Sequence, residues 1–226
     1  MIDIRVSIYG DSISTYRGYN PPGHLVFYND ENCFLNNLMS ENDTWWGQLL
    51  DAYGWELLIN ASYSGSRVSG TAFPAANTCE RINVLQTTSK PDIILVYLGL
   101  NDYGFCVPLV SDNNMRAEEC FYDSYDLMLG RMKGIYPDST IICGTLMPSY
   151  ILYRPDITEK LGENRLGVSL EKYNDLIRKA CKNNLILVAD LYKTGIKCDT
   201  LDGSHPTRKG HMEMSKAWIT ALSEVL

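Results

Sequence analysis

The amino-acid sequence predicts an α/β domain, a three-layer α/β/α sandwich around a five-stranded parallel sheet. Two observations indicate this fold class. Five short apolar runs alternate with helix-like stretches along the chain, as in a sheet that has helices on both faces. The run from Asp92 to Tyr97 is apolar on both faces, which is typical of a strand that contacts helices on each side. No linker, repeat or low-complexity segment divides the 226 residues, so a single domain over 1–226 is expected.

Each predicted strand is followed by a turn signal and then by a predicted helix. The predicted strands are Ile4–Tyr9, Leu57–Ala61, Ile93–Leu98, Ile141–Leu146 and Leu185–Ala189. The predicted helices are Thr44–Tyr53, Cys79–Thr88, Ala117–Tyr136, Leu170–Asn183 and Thr207–Val225. Asp43 or Thr44 can cap the first helix, Gly54 can end it, and Pro91 and Pro137 lie just beyond two later helices. These boundary residues support the order of the elements.

Two connections are longer than a compact loop requires. One is a loop insertion over residues 14–43, and the other is the stretch Pro148–Ser169. Both follow predicted strands at their carboxyl ends, which is the edge where open parallel sheets bind ligands. The two long segments are therefore expected to border the ligand site.

The charge and hydropathy of the chain exclude several classes of partner. The net charge of −7 argues against a nucleic-acid partner or a basic membrane anchor. Asp3 and Arg5 interrupt the first apolar stretch, so no signal peptide is predicted, and no apolar run is long enough to span a membrane. A small-molecule partner is expected, and the sequence predicts no particular oligomeric state.

The cysteines favour a cytoplasmic protein without a structural metal. All seven are scattered, and none forms a C-x-x-C pair. An odd number of isolated thiols is typical of a reducing compartment rather than of a disulfide framework. No cofactor and no metal are expected.

The first predicted strand ends in a sequence that can present a nucleophile. Gly10-Asp11-Ser12 combines a tight turn with a hydroxyl at the carboxyl edge of the sheet. The tripeptide alone is weak, because Asp11 and Ser12 are equally suited to capping the next segment. A serine also needs a base to remove its proton at neutral pH.

A base and an acid stand together near the other end of the chain, in Asp202-Gly203-Ser204-His205-Pro206. An acid three residues before a histidine can bind one ring nitrogen and leave the other free to take a proton. Pro206 restricts His205 to an extended backbone. Asp202 and His205 are therefore the leading partners for Ser12.

Two further segments supply donors for a developing oxyanion. Gly65 follows the second strand and can turn its backbone N–H toward a ligand with no side chain in the way. Asn101 follows the third strand and places a side-chain amide at the same edge. Asp11 and Asp102 flank these positions and are interpreted as holding the turns.

As a set, these segments resemble the GDSL/SGNH hydrolase family. The family's nucleophilic serine corresponds to Ser12, and its D-x-x-H motif corresponds to Asp202 and His205. Its oxyanion donors correspond to the Ser12 N–H, the Gly65 N–H and the Asn101 amide. The resemblance implies a flavodoxin-like sheet of strand order 2-1-3-4-5 and a metal-free serine esterase. Ile13 and Ser62 depart from common family residues without touching a catalytic atom.

The aromatic composition bears on the substrate. The chain has 15 Tyr and 4 Trp against 5 Phe, and buried Tyr and Trp need hydrogen-bond partners. Thirteen aromatic residues are predicted beyond strand carboxyl ends, namely Tyr16, Tyr19, Phe27, Tyr28, Phe34, Trp45, Trp46, Tyr63, Tyr103, Phe105, Tyr150, Tyr153 and Tyr192. Amphipathic rings at this edge suit a sugar, which favours a short-acyl, acetyl-type ester of a carbohydrate or other small polar molecule. Tyr28, Trp46, Arg67 and Tyr103 are the predicted substrate contacts.

Other functions fit parts of the pattern. A lipid or acyl-thioester hydrolase of the same family would share every motif. A flavodoxin-like binding module without catalysis would share the alternation of strands and helices. A metal-dependent hydrolase would use His24, His205 and His211 with nearby aspartates, although their spacing is not that of a metal motif.

Overall fold

The strands form a parallel sheet that extends on both sides of the first strand. The computed structural model describes residues 4–112, 114–151 and 162–226. The sheet strands are β1 (Arg5–Gly10), β2 (Glu56–Asn60), β3 (Ile93–Tyr97), β4 (Thr140–Gly144) and β6 (Leu187–Ala189). Their spatial order is β2-β1-β3-β4-β6, and every neighbouring pair is parallel. The predicted order 2-1-3-4-5 is therefore confirmed when the strands of this sheet are counted along the chain.

Helices cover both faces of the sheet. They are α1 (Asp30–Leu35), α2 (Trp45–Tyr53), α3 (Cys79–Asn83), α4 (Leu100–Gly104), α5 (Phe121–Ile135), α6 (Leu170–Asn184) and α7 (Arg208–Leu222). α2 packs against α7, while α5 packs against α6 and α3. This pairing gives the three-layer α/β/α arrangement that was predicted. None of the helices in the described ranges has the length and apolar character needed to cross a membrane.

The core lies between the sheet and these two helical layers. All five residues of β3 are buried, as expected for the middle strand of a covered sheet. Trp45 of α2 stacks on Trp218 of α7 with ring centroids 5.2 Å apart. Because both indole rings are fully buried, this contact fixes the two helices together on one face of the sheet.

Two predicted helices are shorter in the structure. The helix predicted over Cys79–Thr88 ends at Asn83, and the Leu85 carbonyl instead accepts a hydrogen bond of 2.7 Å from the Ser7 hydroxyl of β1. The helix predicted over Ala117–Tyr136 begins as a separate 3₁₀ turn at Ala117–Glu119, and α5 follows it. Runs of Thr and Ser after Leu85 favour turns because their hydroxyls compete for backbone groups.

Some elements were missed because they lack an apolar period. α1 lies inside the segment 14–43 and is capped by Asn29, whose side chain accepts from the Asn32 N–H. α4 has only five residues. A second small sheet pairs β5 (Ser149–Ile151) with β7 (Cys198–Thr200) in parallel. Part of the predicted Pro148–Ser169 connection, including Tyr153, lies outside the described residues.

Candidate active site

Ser12, His205 and Asp202 form a continuous chain of hydrogen bonds. His205 Nε2 lies 2.9 Å from Ser12 Oγ. The other ring nitrogen, Nδ1, lies 2.6 Å from Asp202 Oδ2. With Asp202 accepting from the Nδ1–H, the imidazole has its basic nitrogen directed at the serine hydroxyl. The structure thus brings together the three residues that the sequence predicted as nucleophile, base and acid.

The turn that carries Ser12 depends on a glycine and a cap. A Cβ on Gly10 would lie only 2.5 Å from the Ser14 Oγ, so no larger residue fits at the end of β1. Asp11 then caps the short 3₁₀ helix Ser12–Ser14, accepting a hydrogen bond of 3.0 Å from the Ile13 N–H. The result is a hydrogen-bonded turn in which Ser12 is only 7% exposed.

The histidine loop is held by the same aspartate that binds the imidazole. Asp202 Oδ1 accepts from the backbone N–H groups of Ser204 and His205, at 2.9 and 2.8 Å. Burial raises the pKa of Asp202, but the hydrogen bonds from His205 and Ser204 outweigh it and bring the pKa down to about 2. Asp202 is therefore ionised at every physiological pH and can stabilise a positive imidazole.

The expected oxyanion donors lie in the segments that directly follow β1, β2 and β3. Gly65 has a φ of 79°, a left-handed conformation that glycine adopts without strain. Within the described part of the chain, the N–H groups of Ser12 and Gly65 have no hydrogen-bond acceptor. Asn101 Nδ2 donates to the Ser66 carbonyl at 3.0 Å and lies 3.4 Å from Asp11 Oδ2. Asn101 thus ties the loop that carries Gly65 to the turn that carries Ser12.

Asp102 has a wider role than the sequence indicated. Instead of holding its own turn, its carboxylate accepts from the backbone N–H groups of Val68 and Ser69, at 2.8 and 3.0 Å. It is fully buried, and burial raises its pKa despite these bonds. Asp102 therefore fixes the loop that follows Gly65 from the end of β3.

Asp11 is a second buried carboxyl at the site. Burial raises its pKa to about 6, while the Ile13 N–H and the nearby His205 act in the opposite direction. Near neutral pH, Asp11 is therefore a carboxylate whose charged form is destabilised by burial.

A buried arginine contacts the backbone that carries the site, and the sequence pattern does not predict it. Arg81 of α3 donates to the Gly10 carbonyl at 3.1 Å and also to the Ala61 carbonyl. Its guanidinium lies 4.7 Å from the centre of the Tyr9 ring. It thereby joins the ends of β1 and β2. The sequence carries no sign of this contact, because an arginine in a short polar helix is usually exposed.

Three cavities are lined by predicted site residues or by their neighbours in the chain. One of about 110 Å³ is lined by Ser12, Asn101, Phe105 and His205 among others. A second, of about 200 Å³, shares Leu100, Gly104 and Ser204 with the first and extends to Tyr103 and Glu163. A third, of about 400 Å³, is lined by Gly65, Arg67 and the segment 69–75. The candidate oxyanion donors therefore line two different cavities, with Ser12 and Asn101 at the narrow one and Gly65 at the wider one.

Two of the four predicted substrate contacts are wrong. The Tyr28 side chain is fully buried, and its hydroxyl donates to the Pro206 carbonyl at 2.7 Å. Trp46 is also buried, and its Nε1–H donates to the Ser14 carbonyl at 2.9 Å. Both rings pack the segment 14–43 onto the sheet edge, so neither reaches the cavities. The sequence placed them at the correct edge but could not tell a packed ring from an exposed one.

The other two predicted contacts border the cavities. Arg67 is exposed, and its guanidinium lies 5.7 Å from the centre of the Phe105 ring. Tyr103 is half-buried and packs edge-on against Tyr173 with ring centroids 5.5 Å apart. Each lines a different cavity, so both stay predicted substrate contacts.

The remaining histidines do not join His205. His24 Nδ1 lies 2.9 Å from the Ser62 carbonyl, and its ring packs against Tyr63 and Phe73. His211 is fully buried in α7, where Nδ1 accepts from the Trp45 N–H at 3.1 Å. Among the described residues, no group of three or more His, Cys, Asp or Glu side chains is placed to hold a metal ion.

The parallel sheet and the layers around it define an α/β/α fold with a polar site at the carboxyl edge. Comparisons with known proteins agree with this class. A family model described as GDSL-like lipase/acylhydrolase matches residues 4–153, more than half of the chain. The protein belongs to the GDSL-like lipase/acylhydrolase family and is a hydrolase, which confirms the resemblance found in the sequence. Asp202 and His205 lie beyond the matched residues.

Solved structures share the fold over almost the whole chain. A GDSL-like lipase described from Bacteroides uniformis is 26% identical, with a TM-score of 0.74 and coverage of 99% of this chain and 97% of the other. A similar one from Bacteroides ovatus is 21% identical, with a TM-score of 0.75 and full coverage of both chains. A protein from Lactobacillus plantarum is 18% identical, with a TM-score of 0.71 and coverage of 99% and 98%. A comparison with curated proteins finds no match.

Proposed function

We propose that the protein hydrolyses a carboxylic ester through an acyl-serine intermediate on Ser12. The observation that carries this proposal is the unbroken set of contacts from Asp202 to His205 to Ser12, at 2.6 and 2.9 Å. These are the distances at which a base removes the proton of a nucleophile while an acid holds the tautomer of that base. A binding module has no need of such an alignment.

In the first half-reaction, Ser12 Oγ attacks the ester carbonyl carbon, and His205 Nε2 takes the serine proton. Asp202 stabilises the positive imidazole. The negative charge on the tetrahedral oxygen is received by the N–H groups of Ser12 and Gly65 and by the Asn101 amide. The intermediate then collapses, and His205 returns its proton to the departing alcohol. An acyl group is left on Ser12.

In the second half-reaction, water attacks the acyl carbon and gives a proton to His205 Nε2. A second tetrahedral intermediate forms on the same donors. Its collapse breaks the bond to Ser12 Oγ, which recovers the proton from His205, and the carboxylic acid is released. Asp11 and Asp102 take no proton in this sequence; they hold the turns that carry the donors.

Two cavities support our proposal for the substrate class. A water occupies about 30 Å³ in the liquid, so a cavity of about 110 Å³ beside Ser12 has room for an acyl group of a few heavy atoms. The wider cavity of about 400 Å³ has Arg67, Ser69 and Thr71 in its lining, which suits a polar alcohol part such as a sugar. We therefore favour a short-acyl, acetyl-type ester of a carbohydrate or another small polar molecule.

The burial of Tyr28 and Trp46 removes part of the aromatic argument for a sugar, so the substrate class depends on the cavities and on Arg67 and Tyr103. A lipid or acyl-thioester hydrolase is the second candidate. Leu100, Met147 and Leu170 in the cavity of about 200 Å³ favour it, since a longer acyl chain would extend past Ser12 along these side chains.

The nucleophile is tested by covalent labelling with a fluorophosphonate together with turnover of an aryl acetate. Wild-type protein is expected to be labelled once, at Ser12, and to hydrolyse the ester without loss of rate in the presence of a chelator. Ser12→Ala should abolish both signals with its circular dichroism unchanged. Ser111→Ala, at an exposed serine, is the matched control and should behave as wild type. Labelling elsewhere, or turnover retained by Ser12→Ala, would show that the mechanism is wrong.

The substrate class is tested with aryl esters of increasing acyl length beside acetylated sugars. A short-acyl enzyme should lose kcat/KM steeply beyond a few carbons and should release acetate from acetylated sugars. A rise in kcat/KM with chain length would instead identify the lipid-type candidate.

A further inference from the structure

The ring of Phe27 lies flat on the imidazole of His205. The two ring centroids are 3.4 Å apart and the planes are inclined by only 6°. His205 makes both of its side-chain hydrogen bonds in the plane of the ring, to Ser12 and to Asp202. Because these bonds lie in the plane of the imidazole, the tilt of that ring is set by contacts with its two faces. Phe27 occupies one of those faces.

The backbone of Phe27 is tied to the nucleophile. Its N–H donates to Thr15 Oγ1 at 2.9 Å, and the same Thr15 hydroxyl donates to the Ser12 carbonyl at 2.8 Å. On the other side, the Phe27 carbonyl accepts from Asn32 Nδ2 at 2.7 Å. Phe27 is thereby held at both backbone groups, with the Thr15 hydroxyl as a direct bridge to Ser12.

The next residue holds the backbone beside the base. The Tyr28 hydroxyl donates to the carbonyl of Pro206, which directly follows His205. Phe27 and Tyr28 pack edge-on with ring centroids 5.0 Å apart, and Tyr28 also packs against His211. The pair Phe27 and Tyr28 therefore joins the nucleophile turn to the histidine loop.

We propose that Phe27 is a positioning residue that fixes the plane of the His205 imidazole and stabilises its protonated form during acyl transfer. The proposal rests on the function proposed above. It also gives the segment 14–43 a role, since that segment supplies the residue that aligns the base with Ser12. The face of an aromatic ring is electrostatically negative, so it attracts an imidazole most when that imidazole becomes positive.

This attraction is selective for the transition state. Before the reaction the imidazole is neutral and gains little from the Phe27 face. As Ser12 loses its proton, charge appears on His205 while the carboxylate of Asp202 faces Nδ1, and Asp11 and His211 lie within electrostatic range of the ring. A contact that strengthens only at that moment raises kcat and leaves KM unchanged.

The experiment compares Phe27→Leu with Phe27→Tyr in the full chain, using an aryl acetate. Phe27→Leu keeps an apolar side chain but loses the ring face, and kcat should fall about three- to thirtyfold with KM unchanged. The acidic limb of the pH–rate profile should move to lower pH, because the protonated imidazole loses its stacking partner. Phe27→Tyr should restore both values. Phe34→Leu, on the 84% exposed ring of α1, is the matched control.

A second pair of variants tests the anchor. Thr15→Val removes the hydroxyl between the Phe27 N–H and the Ser12 carbonyl and should lower kcat, as Phe27→Leu does. Thr15→Ser keeps the hydroxyl and should keep the wild-type kcat. Proton NMR gives a readout that does not require turnover, since a stacked ring shifts the carbon-bound protons of His205 upfield. That shift should disappear in Phe27→Leu and persist in Phe27→Tyr.

Wild-type kcat and an unmoved pH profile in Phe27→Leu would overturn the proposal, as would a His205 spectrum that does not respond to this change. An equal loss of kcat in Phe27→Tyr would do the same, because it would assign the effect to packing. These results are distinct from failure of the proposed function, in which wild-type protein would show no Ser12-dependent ester hydrolysis at all. If Phe27→Leu does not fold, Thr15→Val against Thr15→Ser decides the question.

Discussion

His205 Nε2 lies 2.9 Å from Ser12 Oγ, although 193 positions separate the two residues along the chain. Ser12 follows the first strand of the sheet, and His205 stands in the loop before the last helix. The hydrogen bond between them can form only after both ends of the chain have packed on the same sheet edge. The contact between Ser12 and His205 is therefore a property of the folded sheet edge and not of either motif alone.

The contact of 2.6 Å between Asp202 Oδ2 and His205 Nδ1 predicts the effect of Asp202→Asn. An asparagine side chain can offer an N–H to Nδ1 and thereby stabilise the wrong tautomer, and it cannot neutralise the imidazolium. We expect kcat to fall on the order of 10³- to 10⁴-fold while the protein stays folded. The measurement is steady-state hydrolysis of an aryl acetate, with thermal unfolding as a check.

Asp175→Asn is the control for this change, because Asp175 forms a surface ion pair with Arg178 and its side chain is 65% exposed. Activity of this variant should equal that of wild type. A kcat of Asp202→Asn within tenfold of wild type would contradict the assigned role of Asp202.

Asn101→Ala separates transition-state stabilisation from substrate binding. The Asn101 amide is a proposed oxyanion donor, and in the structure it donates to the Ser66 carbonyl and lies beside Asp11. Its loss should therefore remove that donor and loosen the loop of Gly65. We expect kcat to fall on the order of 10²- to 10³-fold with little change in KM. A rise in KM with kcat unchanged would place Asn101 in substrate binding. Asn183→Ala, on the outer surface of α6, should leave both parameters unchanged.

The sequence predicts those parts of the site that consist of short local motifs. Ser12, Gly65, Asn101, Asp202 and His205 each stand at a strand end or in the final loop, and strand ends can be found from apolar runs and turn residues. The order of the sheet came from the resemblance to a known family, and the structure confirms it.

The supporting residues could not be predicted, because their partners are distant in the chain. Arg81 bonds carbonyls that lie 20 and 71 positions away, and Asp102 holds amides 33 and 34 positions away. Whether Tyr28 and Trp46 point inward depends on how the segment 14–43 folds over the sheet, and no local pattern encodes that direction. Phe27 is found only when its ring is seen against His205.

The raised pKa of Asp11, about 6, predicts a pH-dependent cost of folding. Its unfolded value is near 3.8, so between about pH 4 and pH 6 the folded protein keeps a proton that the unfolded chain has lost. Asp11 therefore contributes most to the free energy of unfolding below pH 4. This contribution falls by about 3 kcal/mol as the pH rises through 6. Asp11→Asn removes the titration but keeps an acceptor for the Ile13 N–H.

We therefore expect Asp11→Asn to raise the free energy of unfolding by about 3 kcal/mol at pH 7 and by almost nothing below pH 4. Urea denaturation at several pH values measures this difference. Asp138→Asn, at an exposed turn, should show no such pH dependence. A gain that is equal at pH 4 and pH 7 would show that Asp11 does not carry the buried charge.

His211 should have the opposite effect on stability over almost the same pH range. Burial lowers its pKa to about 3, with His205 acting in the same direction and the carboxylate of Asp43 opposing it. Because an unfolded histidine titrates near 6.5, the unfolded chain takes up a proton that the folded protein excludes as pH falls below 6.5. The stability from this group is complete above pH 6.5 and is lost toward pH 3, by about 3 kcal/mol at pH 4.5.

His211→Gln tests this sign, because a glutamine carbonyl can still accept from the Trp45 N–H but cannot be protonated. The wild-type protein carries both effects, and they partly cancel between pH 4 and pH 6. We therefore expect His211→Gln to become more stable on acidification over that range and Asp11→Asn to lose stability more steeply than wild type. The free energy of unfolding from urea titrations at pH 7, 6, 5 and 4.5 separates the three slopes. His24→Gln should change the slope less, since His24 is only partly buried. An unchanged slope in His211→Gln would mean that His211 is accessible to protons in the folded protein.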